Sequence, residues 1–478
     1  MWMTLEDPVI EEQADVAIDD SGGDKPASVS VDGGLRWWIW PIRVVVLLGM
    51  LFIVYSDLIL GLKYRDPLVV YSTLMPAHTL IIFSISWLLY RNRADGEVSG
   101  DLVSVIIPIF NQKALIRIVI EAVFKSSYKN IEVIAVDDGS KDGTSDLLDE
   151  IGLEHPEIKI IHKENGGKRT AVATGFFASR GRYVVLMDSD SIIDPDAITE
   201  LMKAFKGNPR VGGMVGNGKV WNAEKNLLTK SQSAWYDYCF NIHKKCESYF
   251  GTVLCCSGCL AAYRREAIAD YIPYWKDETT QYSDDRQLTS YTIASQWAKR
   301  ELAPIPRRLM ESVASYDDAE DRGLTAQSLL DWETAYVPSA VVYTEVPETL
   351  KKFFRQQLRW KKGYLRTNFF VSAFFWRKNP VMALLYYIEF MTTFTSPMVS
   401  FIMLVYAPLV LHDYSLPLIF VLGQVFIGVA AGVDRVSRER KTVNWIYNSL
   451  MNIFLSLVLT WIIFPAIWTF REKRWLTR

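Results

Sequence analysis

One stretch decides the fold of this 478-residue chain, and it reads Tyr183-Val-Val-Leu-Met-Asp-Ser-Asp190. Its first half is a short apolar run that favours a strand with both faces buried. The run ends in Asp188-Ser189-Asp190, and because side chains alternate along an extended chain, the two carboxylates lie on the same side. The stretch therefore predicts a buried strand that carries a pair of acidic groups at the edge of a sheet.

Three more short β-branched runs precede this strand, and helix-like stretches separate them. Alternating strands and helices predict an α/β domain built around a mostly parallel sheet. In such sheets ligands bind beyond the carboxyl ends of the strands. The four runs are residues 102–110, 131–136, 158–161 and 183–187, and the polar segments expected at their ends are Asn111, Asp137-Asp138-Gly139-Ser140, Asn165-Gly-Gly-Lys-Arg169 and Asp188-Ser-Asp190.

Apolar residues make up 50% of the chain and cluster on either side of this charged middle region. Runs at about residues 44–62 and 68–90 precede it, and runs at about 382–411, 416–433 and 445–470 follow it. Each run is long enough to cross a bilayer as a helix. The last contains Pro465 and fits either one tilted helix or a broken pair. We therefore expect two transmembrane helices within residues 36–93 and three to four within residues 380–470.

Basic residues set the expected orientation of these spans. Two arginines flank the first run and two follow the second, which places the N-terminus and the middle region in the cytosol. The sequence thus predicts an integral, multi-pass protein of the plasma membrane with a cytosolic domain at residues 100–370. Asp57 lies near the far end of the first run, where an interfacial position is favoured over a functional intramembrane acid.

Both ends of the chain are polar. Residues 1–35 are strongly acidic and poor in aromatic residues, which predicts a disordered tail. They lack the basic start and apolar core of a signal peptide. Residues 471–478 are predicted to form a basic tail. The formal net charge is only −2, and no basic surface interleaved with aromatic residues points to nucleic acid as a partner.

All five cysteines fall between Cys239 and Cys259. The pair Cys256-x-x-Cys259 supplies half of a zinc knuckle, but no pair of histidines follows at ligand spacing. We therefore favour reduced, packed thiols over a zinc cluster, in keeping with a cytosolic face.

Two acidic motifs carry the chemistry expected at the sheet edge. Asp137-Asp138-Gly139-Ser140 offers short acceptor side chains and a glycine that let a nucleoside approach closely, or else it is a helix N-cap. Carboxylates at Asp188 and Asp190 suit a divalent ion, Mg²⁺ or Mn²⁺, that bridges the pyrophosphate of a nucleotide sugar. The alternative for this second motif is an exposed acidic loop, which the buried strand before it makes less favourable.

Ser283-Asp284-Asp285-Arg286 is a third acidic motif. Either carboxylate could serve as a general base, and a neighbouring carboxylate raises the affinity of its partner for a proton. A helix that begins at Ser283 as its N-cap explains the motif equally well on local grounds.

Gln356-Gln357-Leu358-Arg359-Trp360 lies in a segment rich in lysine, arginine and aromatic residues. Arg359 could bind a phosphate, and Trp360 offers a flat face on which a sugar ring stacks. An amphipathic helix on an anionic membrane surface has the same composition. Both interpretations hold together if an acceptor site lies against the membrane.

Taken in order, these motifs resemble the family 2 processive synthases, which include cellulose, chitin and hyaluronan synthases. The resemblance covers roughly residues 100–370 and is closest to the branch of hyaluronan synthases and rhizobial chitin-oligosaccharide synthases. The residues that carry it are Gly166-Gly-Lys-Arg169, Asn226-Leu-Leu-Thr-Lys230, Trp235-Tyr-Asp237, Phe240-Asn241, Glu247-Ser-Tyr-Phe-Gly251, Cys255-Cys-Ser-Gly258, Tyr263-Arg-Arg265, Asp284-Asp-Arg286, Leu288-Thr289 and Gln356-Gln-Leu-Arg-Trp360.

This resemblance implies a GT-A-type glycosyltransferase domain, embedded between transmembrane helices, and it assigns roles to individual residues. The implied donor site binds uracil through Asp138, and the rest of the nucleotide through Lys168, Arg169, Gln356 and Arg359. Asp188 and Asp190 are implied to bind the metal-bound diphosphate. Asp285 is the implied general base, with Asp284 beside it. The implied acceptor site comprises Trp360, Ser257 and Gly258.

The implied reaction builds hyaluronan from UDP-N-acetylglucosamine and UDP-glucuronic acid with inversion, and moves the polymer across the membrane. The expected partners are UDP-sugars, the nascent polysaccharide and the bilayer, and a monomer would suffice. Alternatives are a chitin-like polymer from one UDP-sugar, a non-processive transfer to a lipid carrier, or an inactive export protein. The tail Trp475-Leu-Thr-Arg478 resembles that of hyaluronan synthases and favours hyaluronan over chitin.

Several residues depart from the family pattern and leave the product open. Hyaluronan synthases usually have Ser-Gly-Pro where this chain has Ser257-Gly258-Cys259, and Gly-Asp-Asp where it has Ser283-Asp284-Asp285. Serine is common in the family at the position of Gly363. The polar stretch at residues 296–331 is longer than we expect for bacterial members.

Overall fold

The computed structural model describes residues 38–65, 73–276, 283–301, 331–439 and 444–469. The acidic tail expected at residues 1–35 and the basic tail expected at 471–478 lie outside them, as does most of the stretch 296–331.

The centre of the molecule is an eight-stranded sheet in the order β3-β2-β1-β4-β7-β6-β8-β5. Strands β1 to β4 pair in parallel, β7 is antiparallel to both β4 and β6, and β6 pairs in parallel with β8. The four strands predicted from apolar runs are confirmed to within two residues. The strands are β1 Val103–Ile109, β2 Ile131–Asp137, β3 Lys159–His162, β4 Tyr183–Leu186, β5 Ile192–Ile193, β6 Val211–Val220, β7 Ala261–Arg264 and β8 Glu333–Thr344.

Helices cover the sheet and continue from it into apolar segments. They are α1 Ile39–Tyr64, α2 Leu74–Leu89, α3 Ile116–Phe124, α4 Thr144–Glu154, α5 Lys168–Ala178, α6 Ala197–Gly207, α7 Leu227–Tyr238, α8 Lys244–Tyr249, α9 Arg265–Ile268, α10 Ile272–Trp275, α11 Asp284–Ile293, α12 Gln296–Glu301, α13 Leu350–Ser372, α14 Pro380–Leu409, α15 Ser415–Arg438, α16 Asn444–Leu457 and α17 Leu459–Trp468.

Close packing of α5 on the sheet fixes the edge where the polar segments meet. Every residue of β1 is buried, as a central strand covered on both faces requires. At Gly175 in α5, a Cβ atom would lie 2.5 Å from Ile106 Cγ2 of β1, so only glycine allows this approach. The N-terminus of α5, which begins at Lys168, is thereby held beside the carboxyl ends of the central strands.

Among the residues that the structure describes, three helices are long and apolar enough to cross a membrane: Ile39–Lys63, Pro380–Leu409 and Ser415–Arg438. The predicted second span corresponds to α2, which is shorter than these three; residues 66–72 before it lie outside the described part of the chain. The last apolar run is a pair of helices, α16 and α17, bent by 44°. The run is thus a broken pair, one of the two alternatives expected, but the break lies at Val458 and Pro465 lies within α17.

An apolar cluster joins the membrane-type helices to the domain. It contains Phe83 and Trp87 of α2, Phe374 after α13 and Tyr386 of α14, together with domain residues such as Ile293. Burying these large side chains stabilises the fold by roughly 1.5–3 kcal/mol each. The domain and the flanking helices are therefore packed as one body at this surface.

Candidate active site

The acidic stretch at the end of β4 is held by the backbone of a neighbouring loop. Asp188 N donates a hydrogen bond to Gly258 O at 2.9 Å, and the Asp188 carboxylate accepts one from Lys168 Nζ at the start of α5. A Cβ atom on Gly258 would lie 3.0 Å from both Asp188 Oδ2 and Lys168 Nζ. Glycine is therefore needed at position 258 to let the three elements meet.

The pair Asp188 and Asp190 fits a divalent ion that is completed by substrate. Within the described residues no group of three or more histidine, cysteine, aspartate or glutamate side chains converges as a metal site. Mg²⁺ is commonly bound by one or two carboxylates together with substrate phosphates and water. Two half-buried carboxylates at a strand end supply the protein's share of such a site.

Asp285 lies across the same small cavity, which is lined by Lys168, Asp188, Gly258, Asp284 and Asp285 among others. Its Oδ2 accepts hydrogen bonds from Gly258 N at 3.2 Å and from Cys255 Sγ at 3.6 Å. Its Oδ1 accepts one from Arg286 N at 2.9 Å. The carboxylate is thus oriented by the loop that also holds Asp188.

Asp284 points to a different environment. Its carboxylate binds Arg169 Nε, and both side chains are buried. Arg169 also donates to Trp275 O at 3.3 Å and lies 5.4 Å from the Trp275 ring. These contacts favour a role for Arg169 in holding Asp284 and α10, while its predicted contact with a nucleotide stays a prediction.

Lys168 connects the two acidic motifs electrostatically. Burial disfavours its charge, but Asp188, Asp284 and Asp285 together raise the pKa of the ammonium well above its usual value. A permanently charged lysine at this position can neutralise a leaving diphosphate as readily as it neutralises Asp188.

Asp138 lies in the adjoining part of the sheet edge, where its buried carboxylate shapes a glycine turn. It accepts hydrogen bonds from Gly166 N at 3.0 Å, Gly167 N at 2.7 Å and Lys163 Nζ at 2.5 Å. Helix α4 begins only at Thr144, and Asp142 caps its first N–H. The motif at residues 137–140 is therefore not the N-cap of that helix, and the contact of Asp138 with uracil stays a prediction.

An open groove beside this turn contains residues that the sequence did not single out. Its lining includes His162, Lys163 and Ser145. His162 Nδ1 lies 2.9 Å from Asp137 Oδ2, and Nε2 lies 3.1 Å from Asp149 Oδ1. Burial lowers the pKa of His162, but these two acids outweigh burial and raise the pKa. The signal was available, because His162 ends β3 and so faces the same sheet edge.

Helix α13 brings the Gln356–Trp360 motif to the start of α11. At Gly363 a Cβ atom would lie 1.8 Å from Ser283 Oγ, so the two helices touch directly before Asp284. Ser283 has a φ of 55° and its side chain makes no capping hydrogen bond. Ser283 therefore occupies the N-cap position, as the local alternative predicts, but its side chain does not cap the helix.

The aromatic part of the motif faces helix α7. The rings of Trp360 and Trp235 have centroids 6.3 Å apart and are tilted by 38°. Burial raises the pKa of Tyr236, and the charges of Asp190 and Arg359 also act on this side chain. Gln356 Oε1 and Gln357 Nε2 are buried and have no hydrogen-bond partner among the described residues.

The five cysteines are free thiols, and Cys246, Cys256 and Cys259 are buried. Burial raises the pKa of Cys256 and of Cys259 to about 12, which keeps these thiols protonated. Cys256 lines the acidic cavity, and Cys255 Sγ contacts Asp285 Oδ2.

The curled, mostly parallel sheet, with its acidic stretch at the end of β4, is the GT-A fold of glycosyltransferases. Among solved structures, a mannosyltransferase from Pyrobaculum calidifontis in complex with GDP-Man and Mn²⁺ covers 81% of this chain and 98% of its own length, with a TM-score of 0.51 and 17% identity. That similarity is one of fold. The family model described as Glycosyl transferase family 2 matches residues 104–272, so the protein carries a family 2 glycosyltransferase domain.

Curated relatives extend this similarity beyond the domain. An N-acetylglucosaminyltransferase from Azorhizobium caulinodans is 27% identical over 79% of this chain and 87% of its own length. A hyaluronan synthase from Streptococcus pyogenes is 28% identical over 66% of this chain and 68% of its own. A poly-beta-1,6-N-acetyl-D-glucosamine synthase from Staphylococcus epidermidis is 26% identical over 56% and 55%, respectively. The relatives thus include synthases of more than one polymer.

Proposed function

We propose that the protein is a membrane-embedded, processive synthase that builds hyaluronan from UDP-N-acetylglucosamine and UDP-glucuronic acid and moves the polymer across the plasma membrane. The observation that carries this proposal is the single cavity shared by Asp188, Lys168 and Asp285. Helix α13 packs against this site and is followed in the chain by helices of membrane-spanning length. A transferase that releases its product after one step does not need an active site that is connected in this way to membrane helices.

In the proposed reaction, a hydroxyl of the acceptor sugar attacks the anomeric carbon of the donor, and the bond to the diphosphate breaks. Asp285 takes the hydroxyl proton, because its carboxylate faces the cavity and its lone pairs exceed the three hydrogen bonds it accepts. One displacement of this kind inverts the anomeric centre. A divalent ion held by Asp188 and Asp190 would stabilise the charge of the departing diphosphate.

The remaining predicted residues have proposed binding roles. Lys168 neutralises the diphosphate, Asp138 holds the glycine turn at the uracil site, and Arg359 with Gln356 closes over the donor phosphates. The acceptor rests on Trp360 and on the loop at Ser257 and Gly258. Here Trp235 extends the flat surface of Trp360, as the spacing of the two rings permits.

A polymer of N-acetylglucosamine alone is the second candidate. The observation that favours it is coverage, because the N-acetylglucosaminyltransferase relative aligns over 87% of its length against 68% for the hyaluronan synthase. Both candidates use UDP-N-acetylglucosamine as a donor. Only the hyaluronan synthase also needs UDP-glucuronic acid.

Donor dependence separates the two candidates. Membranes that contain the protein would be incubated with UDP-N-acetylglucosamine, with UDP-glucuronic acid, or with both, and the products digested with hyaluronidase or chitinase. We expect polymer only with both donors, and we expect hyaluronidase to degrade it. Chitinase-sensitive polymer from UDP-N-acetylglucosamine alone would establish the second candidate. Absence of polymer with every UDP-sugar, alongside UDP release, would contradict a synthase altogether.

A further inference from the structure

A buried network of charges connects the helices outside the domain to helix α7. Its centre is Asp434 in α15, which is 1% exposed. The Asp434 carboxylate accepts hydrogen bonds from Arg43 of α1 at 3.2 Å, from Trp87 Nε1 of α2 at 3.0 Å and from Arg438 one turn further along α15 at 2.9 Å. Three separate apolar helices therefore meet at one carboxylate.

Arg438 carries this network into the catalytic domain. One of its terminal nitrogens, Nη2, lies 3.0 and 2.8 Å from the two oxygens of Asp237 in α7, and the other end of the guanidinium contacts Asp434. Asp237 in turn accepts a hydrogen bond from Asn241 at 3.0 Å, whose amide oxygen accepts one from Tyr336 of β8 at 3.1 Å. Arginine suits this bridge because its planar fork binds two carboxylates at once, whereas a lysine ammonium is a single point charge.

The residues next to Asp237 are those that face the proposed acceptor site. Trp235 lies against Trp360, and Tyr236 lies within electrostatic reach of Asp190 and Arg359. Trp235, Tyr236 and Asp237 share the last turn of α7. A shift of this turn therefore moves Trp235 relative to Trp360 of α13. The donor side, at Asp138 and Lys168, is built on other elements.

We propose that Asp237, clamped by Arg438, is a positioning residue that sets the acceptor platform of Trp235 and Trp360 in register with the membrane helices. A growing chain must leave the platform along a path that the membrane helices define, so the two parts have to keep a fixed relation during each step. This partly buried pair supplies the relation. Without the charge of Asp237, Arg438 keeps its contact with Asp434 but loses its link to α7, and without Arg438 the Asp237 carboxylate loses its charged partner. This inference rests on the proposed synthase function and identifies one device that makes it processive.

The test compares product length with donor use in the full-length protein. Asp237→Asn removes the charge and keeps the size of the side chain, and Arg438→Lys keeps the charge and removes the fork. The matched control is Glu224→Gln. It breaks an exposed ion pair, at 3.0 Å, between Glu224 and Lys230, and Lys230 lies on α7 as Asp237 does. We expect both test variants to shorten the polymer by about threefold or more, with the KM for UDP-sugars and the affinity for UDP unchanged. Asp237→Glu should recover part of the length, and the control should match the wild type.

Each other outcome counts against the inference. Unchanged polymer length with intact UDP affinity would remove Asp237 from the positioning role. Loss of UDP affinity in both test variants would show a general structural anchor instead. If the wild type makes no polymer from any UDP-sugar, the proposed function fails first, and the inference fails with it.

Discussion

Asp284 and Asp285 are neighbours in the chain, yet their carboxylates lie in different environments. Asp285 is held at the cavity by the backbone of Gly258, whereas Asp284 is buried against Arg169. A helix separates the directions of consecutive side chains by about 100°, so one turn can supply a reactive group and an internal ion pair. The sequence analysis assigned both residues to the catalytic site, because a sequence motif does not show in which direction each side chain points.

Substitution of each acid by its amide should therefore have distinct effects. We expect Asp285→Asn to lower the rate of sugar transfer by about 10²–10⁴-fold, with UDP affinity retained, since the amide cannot accept the hydroxyl proton. We expect Asp284→Asn to lower the free energy of unfolding by about 3–5 kcal/mol, because Arg169 keeps a buried charge without its partner. Single-turnover rates and thermal unfolding in detergent measure the two effects. Residual transfer near the wild-type rate in Asp285→Asn would exclude it as the base.

Some residues of the candidate site were accessible from the sequence and others were not. Asp188, Lys168 and Asp285 were found because each follows a recognisable strand or motif, and the structure brings them together. Cys255 was not foreseen as a neighbour of Asp285, since this contact of 3.6 Å depends on packing between a loop and a helix 30 residues apart. Local patterns do not encode such contacts.

At the scale of elements, the contact between α11 and α13 explains two departures from the family pattern at once. Hyaluronan synthases usually have glycine where this chain has Ser283, and the family often has serine where it has Gly363. A Cβ atom on Gly363 would lie 1.8 Å from Ser283 Oγ, so the two positions share a space that holds one side chain. The two departures compensate each other, and they keep Asp284 and Asp285 in place.

A double substitution tests this compensation. Gly363→Ser alone should reduce polymer synthesis severely, because the new side chain displaces Ser283 and the start of α11. Ser283→Gly alone should be tolerated, since its φ of 55° favours glycine. The combined variant should recover most of the activity lost by Gly363→Ser, with a coupling free energy of about 0.5–3 kcal/mol. A double-mutant cycle on activity and unfolding measures it, and strictly additive effects would refute the shared space.

The second half of the sheet shows where sequence patterns stop predicting elements. Strand β6 contains Gly212, Gly213, Gly216 and Gly218, a composition that disfavours a strand. Its glycines serve close packing instead, since a Cβ on Gly216 would lie 2.5 Å from Ala340 O of β8. Strands β6 and β8 pair across more than 100 residues, and apolar periodicity within either segment cannot reveal that pairing.

At the scale of the whole molecule, the ion pairs at one end of α15 bear on the expected orientation of this helix in the membrane. The C-terminal end of α15 is bound to the domain through Arg438 and Asp237 at 2.8 Å and through Glu439 and Lys219 at 3.1 Å. If α15 crosses the membrane, as its length and composition allow, its other end and the loop at residues 410–414 before it are expected on the opposite face. The basic residues at 435–438 agree with a cytosolic position for the domain.

Chemical labelling of intact cells tests this topology. A cysteine introduced by His412→Cys should react with a membrane-impermeant maleimide added outside, because His412 is exposed in the predicted external loop. A cysteine introduced by Glu224→Cys, on the domain, should react only after the membrane is permeabilised. Labelling of both cysteines only after permeabilisation would place the loop in the cytosol and contradict the assignment.

The pairing of Asp237 with Arg438 also imposes an order on biosynthesis. The two residues are 201 positions apart, and at about 5–20 residues per second the ribosome needs roughly 10–40 s to pass from one to the other. During that interval the catalytic fold can form, but the last turn of α7 lacks its clamp. On the proposed function, the chain would acquire a properly set acceptor platform only after α15, which carries Arg438, has been made and inserted, so polymerisation would wait until that helix is in the membrane.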